Sequence, residues 1–314
     1  MSTPQNICLI GGSGFVGTEL ATQLARQGKN IRVLSRDLRK MKSLRVVPTV
    51  EIVQVDPHDK TALTDAFRDQ DVVVNLVGIL NTSIGKGGTF DEAHVGLAEN
   101  IIMAAREAKI SRIMQMSSLH ADADKGPSEY LRSKGKASRL LQESGLPLTI
   151  FCPSVIFGNG DSLFTRFANL LRAMPFMPLA CADAKFQPVF VGDVAHQIIQ
   201  AIDNPDTIGT TINLCGPETF SLREIVEYTA EVLEINRKII ALPDGLAKIQ
   251  AFMLELIPGK PFSRDNYNSL QIDSVCDDSC TPQPTPVCKI VPTYLGKMNR
   301  QSRLQHYREM ARRD

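Results

Sequence analysis

The sequence has almost no net charge: 35 Lys and Arg stand against 34 Asp and Glu, leaving +1 at pH 7. Without a basic excess there is no electrostatic footprint for nucleic acid, which is excluded as the main partner. No run approaches the ~18 consecutive apolar residues of a membrane-spanning helix. The opening residues, MSTPQNICLI, hold neither a basic region nor a long apolar stretch, so no secretory signal is expected. Internal repeats and low-complexity tracts are lacking too. Metal-ligand spacing is also missing. Cys276, Cys280 and Cys288 cluster without a CxxC pair or a nearby histidine, so no metal centre is expected. An inert surface loop and a redox disulfide are the other two readings of that cluster. Cys8 and Cys215 lie in apolar runs and read as small core residues. Seven cysteines, an odd count, fit reduced thiols in a cytoplasmic setting. The most apolar segment, 246–257, reads as a helix packed on a core, with contact to a membrane surface as the alternative.

What the chain does have is alternation. At 314 residues it is long enough for about two domains. Strand patterns at 6–10, 30–34, 50–55, 71–77, 112–116 and 148–151 alternate with helical patterns at 17–27, 60–67, 90–108 and 129–144. Several strands are apolar almost throughout, as when helices cover both faces of a parallel sheet. This order predicts an α/β fold, a doubly wound parallel sheet of the Rossmann type, over 1–153. Beyond Pro153 the pattern is irregular, with helices at 161–174 and 221–233, a strand at 211–214 and a basic helix at 296–312. A smaller, discontinuous C-terminal lobe is expected from 154–185 and 204–314, with 186–203 returning to the main domain. Ligands of such folds bind at the carboxyl ends of the strands, so the lobe should cap that edge.

Directly after the first strand comes GGSGFVG, with Gly11, Gly14 and Gly17 at G-x-x-G-x-x-G spacing before an amphipathic helix. Gly11 permits a tight turn, Gly14 lets backbone approach a pyrophosphate, and Gly17 lets helix pack closely on strand. The free N–H groups at the helix start, around Phe15 and Val16, then face the anion. Val77 and Gly78, after the fourth strand, are expected at the same nucleotide. The second strand ends in VLSRDLRK, placing Ser35 and Arg36 where NAD-binding chains carry an acidic residue. Arg36, with Arg39 and Lys40 behind it, offers a planar fork for a 2′-phosphate. NADP(H) is therefore expected over NAD(H). The competing reading leaves Arg36 as a solvated charge and lets Asp37 hold a ribose. Asp56 is placed to touch the adenine edge or to cap the helix that starts near Lys60.

The fifth strand ends in MQMSSLHAD, and YLRSK follows, with Tyr130 and Lys134 four apart on one helix face. Tyrosine, with an ordinary pKa of ~10, is a poor base. A nearby ammonium and an oxidised nicotinamide favour the phenolate, and bringing its pKa near 7 takes about 4 kcal/mol. Ser118 at the strand end is placed to hold a substrate oxygen. The expected catalytic set is Ser118, Tyr130 and Lys134; a plainer alternative is that Tyr130 and Lys134 only bind the ribose. Pro153 and Ser154, after the sixth strand, are expected near the nicotinamide.

GGSGFVG, Ser117/Ser118 and YLRSK together resemble the short-chain dehydrogenase/reductase superfamily, in its extended or atypical branch. More narrowly, PSVIFGNGDSLFTRFANLL, QPVFVGDVAHQIIQAI and PFSRDNYNSLQIDSV resemble the family of respiratory complex I accessory subunit nine of the alpha subcomplex and its bacterial relatives. That resemblance runs from about Asn6 to about Val275 and implies an NADPH-binding Rossmann fold whose nucleotide is in some members structural. Three positions depart from the pattern. His94 stands where an asparagine is frequent, GKASR follows the lysine in place of a small, acidic continuation, and Cys152 replaces a frequent arginine.

The leading expectation is an NADP(H)-dependent oxidoreductase acting on a carbonyl, alcohol or quinone-like small molecule. Phe164, Phe167, Phe176, Met177 and Phe186 read either as an apolar substrate channel or as plain core. The alternative is a non-catalytic NADPH-binding accessory or assembly protein, cytoplasmic and peripheral on the inner face of a membrane at a respiratory complex. Lys297, Arg300, Arg303, Arg308, Arg312 and Arg313 would then form a docking surface, or else an ordinary solvated helix. A nucleotide-sugar epimerase or dehydratase is a third reading, disfavoured by Arg36. Nothing in the residues decides the oligomeric state.

Overall fold

The computed structural model describes residues 4–41, 44–81, 88–257 and 262–296. Seven strands form one sheet: β1 (Asn6–Ile10), β2 (Asn30–Ser35), β3 (Val50–Gln54), β4 (Val72–Asn75), β5 (Arg112–Met116), β6 (Leu148–Pro153) and, much later in the chain, β11 (Thr211–Leu214). Their order is β11-β6-β5-β4-β1-β2-β3, and every pairing is parallel. This is the doubly wound sheet expected from the alternation. The seventh strand comes from within 204–314, so the sheet draws on the chain beyond the division read from the sequence.

Period-two alternation explains why the strands read as unbroken apolar runs. Ile7 and Leu9 of β1 point into one core, with α1 (Phe15–Arg26) and α6 (Val191–Asp203). Cys8 and Ile10 point into the other, with α2 (Lys60–Phe67), α3 (Leu97–Glu107) and α4 (Glu129–Glu143). All four β1 residues are at most 1% exposed. Each large apolar side chain buried in this way stabilises the fold by about 1.5–3 kcal/mol. The chain turns back between β1 and β4, which opens a crevice at their carboxyl ends.

A third core forms the smaller lobe. Phe157, Phe164, Leu171, Ile225, Val226 and Val291 pack α5 (Phe164–Ala173), α7 (Leu222–Val232) and α10 (Val287–Leu295) together. Three short strand pairs frame it: β7 (Ile156–Phe157) with β10 (Val189–Phe190), β8 (Phe176–Leu179) with β13 (Lys238–Ala241), and β9 (Lys185–Phe186) with β12 (Phe220–Ser221). Ser221 and Glu224 close a reciprocal capping box at the start of α7. Two further helices, α8 (Asp244–Glu255) and α9 (Arg264–Ser269), border the crevice.

The structure corrects several sequence expectations. The helix read over 90–108 is interrupted by a π-helical turn, Glu92–Gly96, before α3 begins. Cys215 is buried as expected, but it is bonded to Cys276 across 61 residues. Closing a loop of that length stabilises the fold by about 4 kcal/mol in the chain-entropy picture. The segment read as a helix packed on a core is α8, and it buries only Ala247 and Ala251. Leu246, Ile249, Phe252, Met253 and Leu256 remain about half exposed or more. The basic residues from Lys297 onward, on which the docking surface rested, lie outside the described residues.

Candidate functional site

The crevice begins at the glycine turn. Gly11 adopts a left-handed φ of 77°, and the Gly14 N–H donates back to its carbonyl at 3.0 Å. Gly14 is the N-cap of α1, and no side chain caps the helix. The first-turn amides therefore have no intrahelical partner, and Gly14, Phe15, Val16 and Gly17 line the cleft. A Cβ on Gly17 would stand 2.4 Å from the Cα of Gly12, which fixes how closely the helix approaches the turn. Gly12 was not singled out in the sequence. A Cβ there would meet Val33 Cγ1 at 2.6 Å, so it serves packing against β2 rather than the ligand. An uncapped helix start with glycine backbone on its open side fits a pyrophosphate.

At the end of β2 the Ser35 hydroxyl lies 3.4 Å from that of Ser13 in the turn, and it accepts from the Asp37 N–H at 3.2 Å. The Arg36 side chain is exposed. Asp37 is held by Arg39 through a two-point fork at 2.9 and 3.0 Å. Asp56 is exposed and accepts from the His58 N–H; the cap of α2 is Asp59, which accepts from the Ala62 N–H. Across the crevice, Val77 Cγ2 lies 3.2 Å from where a Gly11 Cβ would be. Gly78 lines the cleft, where a Cβ would stand 3.3 Å from Lys134 Nζ.

Ser118, Tyr130 and Lys134 meet in the middle of the cleft. Ser117, which is buried and accepts from the Ser138 hydroxyl, and the half-buried Ser118 both line the cleft, and Ser118 is the one whose hydroxyl is hydrogen-bonded to the Tyr130 phenol. Tyr130 and Lys134 share one face of α4, one turn apart. The start of α4 is clamped from the lobe. Asp265 of α9 accepts from the N–H groups of Glu129 at 2.6 Å and Tyr130 at 3.3 Å. The Ser128 hydroxyl caps the Leu131 N–H, and Ser269 donates to it. Gly135 lets α4 lie against the 122–123 backbone, since a Cβ there would be 2.3 Å from Ala123 N.

Burial lowers the Lys134 ammonium to about 8, opposed by Cys152. Its Nζ donates to the carbonyls of Val77 at 2.8 Å and Met116 at 3.0 Å. Burial raises the Tyr130 phenol above its ordinary value; the Ser118 hydroxyl opposes the rise, and Cys152 and Asp265 add to it. Without the oxidised nicotinamide that the expectation also invoked, the shift runs upward rather than toward 7. Desolvation outweighs the stabilising contacts, and the phenol is the resting form.

His94 is the residue whose role the sequence left open. It lies in the π-helical turn, with its ring 5.8 Å from that of Tyr130, edge to face. The Ile79 N–H points at Nε2 at 3.4 Å, so that nitrogen accepts and the proton is assigned to Nδ1. Nδ1 then donates to Ser133 Oγ at 2.8 Å, and Ser133 donates to the Tyr130 carbonyl at 2.9 Å. Burial first, then the Lys134 charge, lowers the imidazole to about 3. It is a neutral positioning group behind the tyrosine.

The cleft continues into the lobe and encloses about 760 Å³. Pro153 and Ser154 form its floor, and Ser154 Oγ donates to the Ser274 carbonyl at 2.7 Å. Beyond them the walls are apolar, with Phe167, Met177 and Phe186 among them. Of the other two aromatic candidates, Phe164 is fully buried in the lobe core and Phe176 is half exposed. Arg166 places a cation along the same wall, and burial lowers its pKa.

A family model described as NAD(P)H-binding matches residues 11–175. The chain is 30% identical over 292 residues to mitochondrial NADH dehydrogenase (ubiquinone) 1 alpha subcomplex subunit 9 of Rattus norvegicus, covering 89% of this chain and 76% of that one. It is 24% identical over 290 residues to the ceramide reductase of Caulobacter vibrioides, covering 92% of this chain and 90% of that one. A nucleoside-diphosphate-sugar epimerase from Staphylococcus aureus superimposes with a TM-score of 0.68 at 22% identity, over 86% of this chain and 89% of that one, a likeness of fold. The chain belongs to the NAD(P)H-binding family of extended short-chain dehydrogenases/reductases.

Proposed function

We propose that the chain is an NADP(H)-dependent reductase of an apolar carbonyl or quinone-like substrate. The observation that carries this reading is the single cleft that joins the glycine turn, Ser118/Tyr130/Lys134 and an apolar chamber. Arg36, exposed at the end of β2, receives the 2′-phosphate, while Asp37 is already committed to Arg39. The bound nicotinamide supplies the hydride. Tyr130 gives its proton to the substrate oxygen, and Ser118 hydrogen-bonds that oxygen while it accepts charge. A raised phenol pKa keeps Tyr130 protonated, the form a proton donor to the substrate oxygen needs. Lys134 would hold the ribose side of the bound cofactor, and Pro153 and Ser154, which line the same cleft, would lie near its nicotinamide. The apolar chamber takes the body of the substrate, a proposal in keeping with a relative named ceramide reductase.

The test is NADPH oxidation with carbonyl and quinone substrates that carry long apolar chains. Tyr130→Phe should lower turnover by about 10²–10⁴-fold with NADPH affinity unchanged. Unchanged turnover in that variant overturns the assignment.

A second reading is a non-catalytic NADPH-binding subunit associated with a respiratory complex. It is favoured by the subunit 9 relative and by a Lys134 ammonium engaged by two backbone carbonyls. No helix among the described residues is long and apolar enough to cross a membrane, so the association would be peripheral. Retained NADPH that does not exchange, with no turnover of any substrate, would favour this second reading.

A further inference from the structure

Three sulfurs meet at the seam between the main sheet and the lobe. Cys215, just after β11, is bonded to Cys276, and Cys280 lies so that all three sulfurs are within 4.8 Å of one another. Cys215 is fully buried, whereas Cys276 and Cys280 are half-buried. Cys280 closes a turn by donating its N–H to the Asp277 carbonyl, and its thiol donates to the Asn213 carbonyl at 3.3 Å. The Cys280 thiol thus rests over the end of β11, which Cys215 directly follows.

The bond reaches the cleft through the strip 273–276. Ser274 lines the cleft and exchanges backbone bonds with β9 and its neighbour: its N–H donates to Lys185 and its carbonyl accepts from Gln187. That same carbonyl accepts from Ser154. The Cys276 N–H donates to the Gln187 side chain at 3.0 Å, and a His120 ring nitrogen lies 3.2 Å from the Val275 carbonyl. The Lys185 N–H also donates to the Asp273 side chain at 2.9 Å, and the Ser154 and Ser274 hydroxyls lie 3.0 Å apart; the disulfide of the strip runs to Cys215, just after β11.

We propose that Cys215, Cys276 and Cys280 form a thiol–disulfide exchange site, in which Cys276 trades its bond to Cys215 for one to Cys280 and so unties a wall of the cleft. The Cys280 thiol gives up its proton to solvent, and its sulfur bonds to Cys276 Sγ. The Cys215–Cys276 bond breaks, and Cys215 leaves as a thiolate that takes a proton from solvent. One disulfide is present before and after, so no outside oxidant or reductant is consumed. Burial and Asp277 raise the Cys280 thiol above its ordinary value. Little of it is thiolate, so exchange from the observed Cys215–Cys276 bond runs on the minutes-to-hours scale of uncatalysed disulfide rearrangement.

Peptide mapping distinguishes the two bonds. Cleavage after Lys and Arg releases 265–289, which holds Cys276, Cys280 and Cys288, and 186–223, which holds Cys215. The folded, oxidised protein is incubated, quenched with acid, alkylated and digested without reduction. Wild type should give both the cross-linked pair and an internally bridged 265–289, whereas Cys280→Ser should give the cross-linked pair alone. A cross-link that never migrates, an internal bridge that survives in Cys280→Ser, or alkylation of Cys215, Cys276 and Cys280 all together before any reduction overturns the proposal. Hydrogen exchange adds a readout of the wall. In folded Cys215→Ser, the Ser274 and Cys276 amides should lose about tenfold or more of their protection, and unchanged protection refutes the untying.

Discussion

Acid should unfold this protein through His94. The folded state holds the imidazole near a pKa of about 3, against 6.5 for the free group. The unfolded chain therefore takes up a proton that the folded chain refuses, and stability falls as pH drops from 6.5 toward 3. The full difference amounts to about 5 kcal/mol below both values, of which about 2 kcal/mol is lost between about pH 7 and about pH 5. The structural reason is plain. A protonated ring would turn Nε2 into a donor facing the Ile79 N–H, beside the Lys134 ammonium. Urea unfolding of wild type and His94→Asn at both pH values isolates the effect, because other titrating groups are common to the two proteins. Wild type should lose about 2 kcal/mol more than the variant over that interval. An equal loss in both would refute the assignment of a neutral, buried His94.

Other substitutions separate fold from ligand. Gly17→Ala forces a Cβ onto the backbone of Gly12 and should cost about 3 kcal/mol in urea unfolding. Gly14→Ala, whose Cβ lies 3.2 Å from the Gly11 carbonyl, should instead keep most of the stability and weaken NADPH binding in calorimetry. Asp265→Asn removes a charge that raises the Tyr130 phenol and weakens two bonds at the start of α4. Its phenol should titrate at lower pH by ultraviolet absorbance, with about 1 kcal/mol lost in stability. Arg36→Ala should lower NADPH affinity about tenfold or more and leave NADH affinity unchanged.

The parts legible in the sequence were those whose chemistry is local. A glycine turn needs a strand before and a helix after, and all three lie within 6–27. Tyr130 and Lys134 share a face by helix geometry alone. The remainder depends on contacts between distant segments. Asp265 is 135 residues from the Tyr130 amide it caps, and Cys276 is 61 from the cysteine it bonds. Phe164 and Phe167 are one turn apart on α5, yet one fills the lobe core and the other lines the cleft. Only the packing of α7 and α10 behind α5 decides which face turns inward. The direction of the phenol shift in the nucleotide-free chain was hidden for a related reason. The one-turn spacing of Lys134 is readable in the sequence, but the desolvation that raises the phenol comes from the ring's surroundings, Phe90 and His94 among them.

Calorimetric titration of NADPH and NADH into the purified chain, freed of any retained nucleotide, tests the central claim most directly. The account predicts exchangeable binding of NADPH, about tenfold or more tighter than NADH, at the cleft that begins with Gly11 and Gly14. Binding of neither, or a preference for NADH, would contradict it.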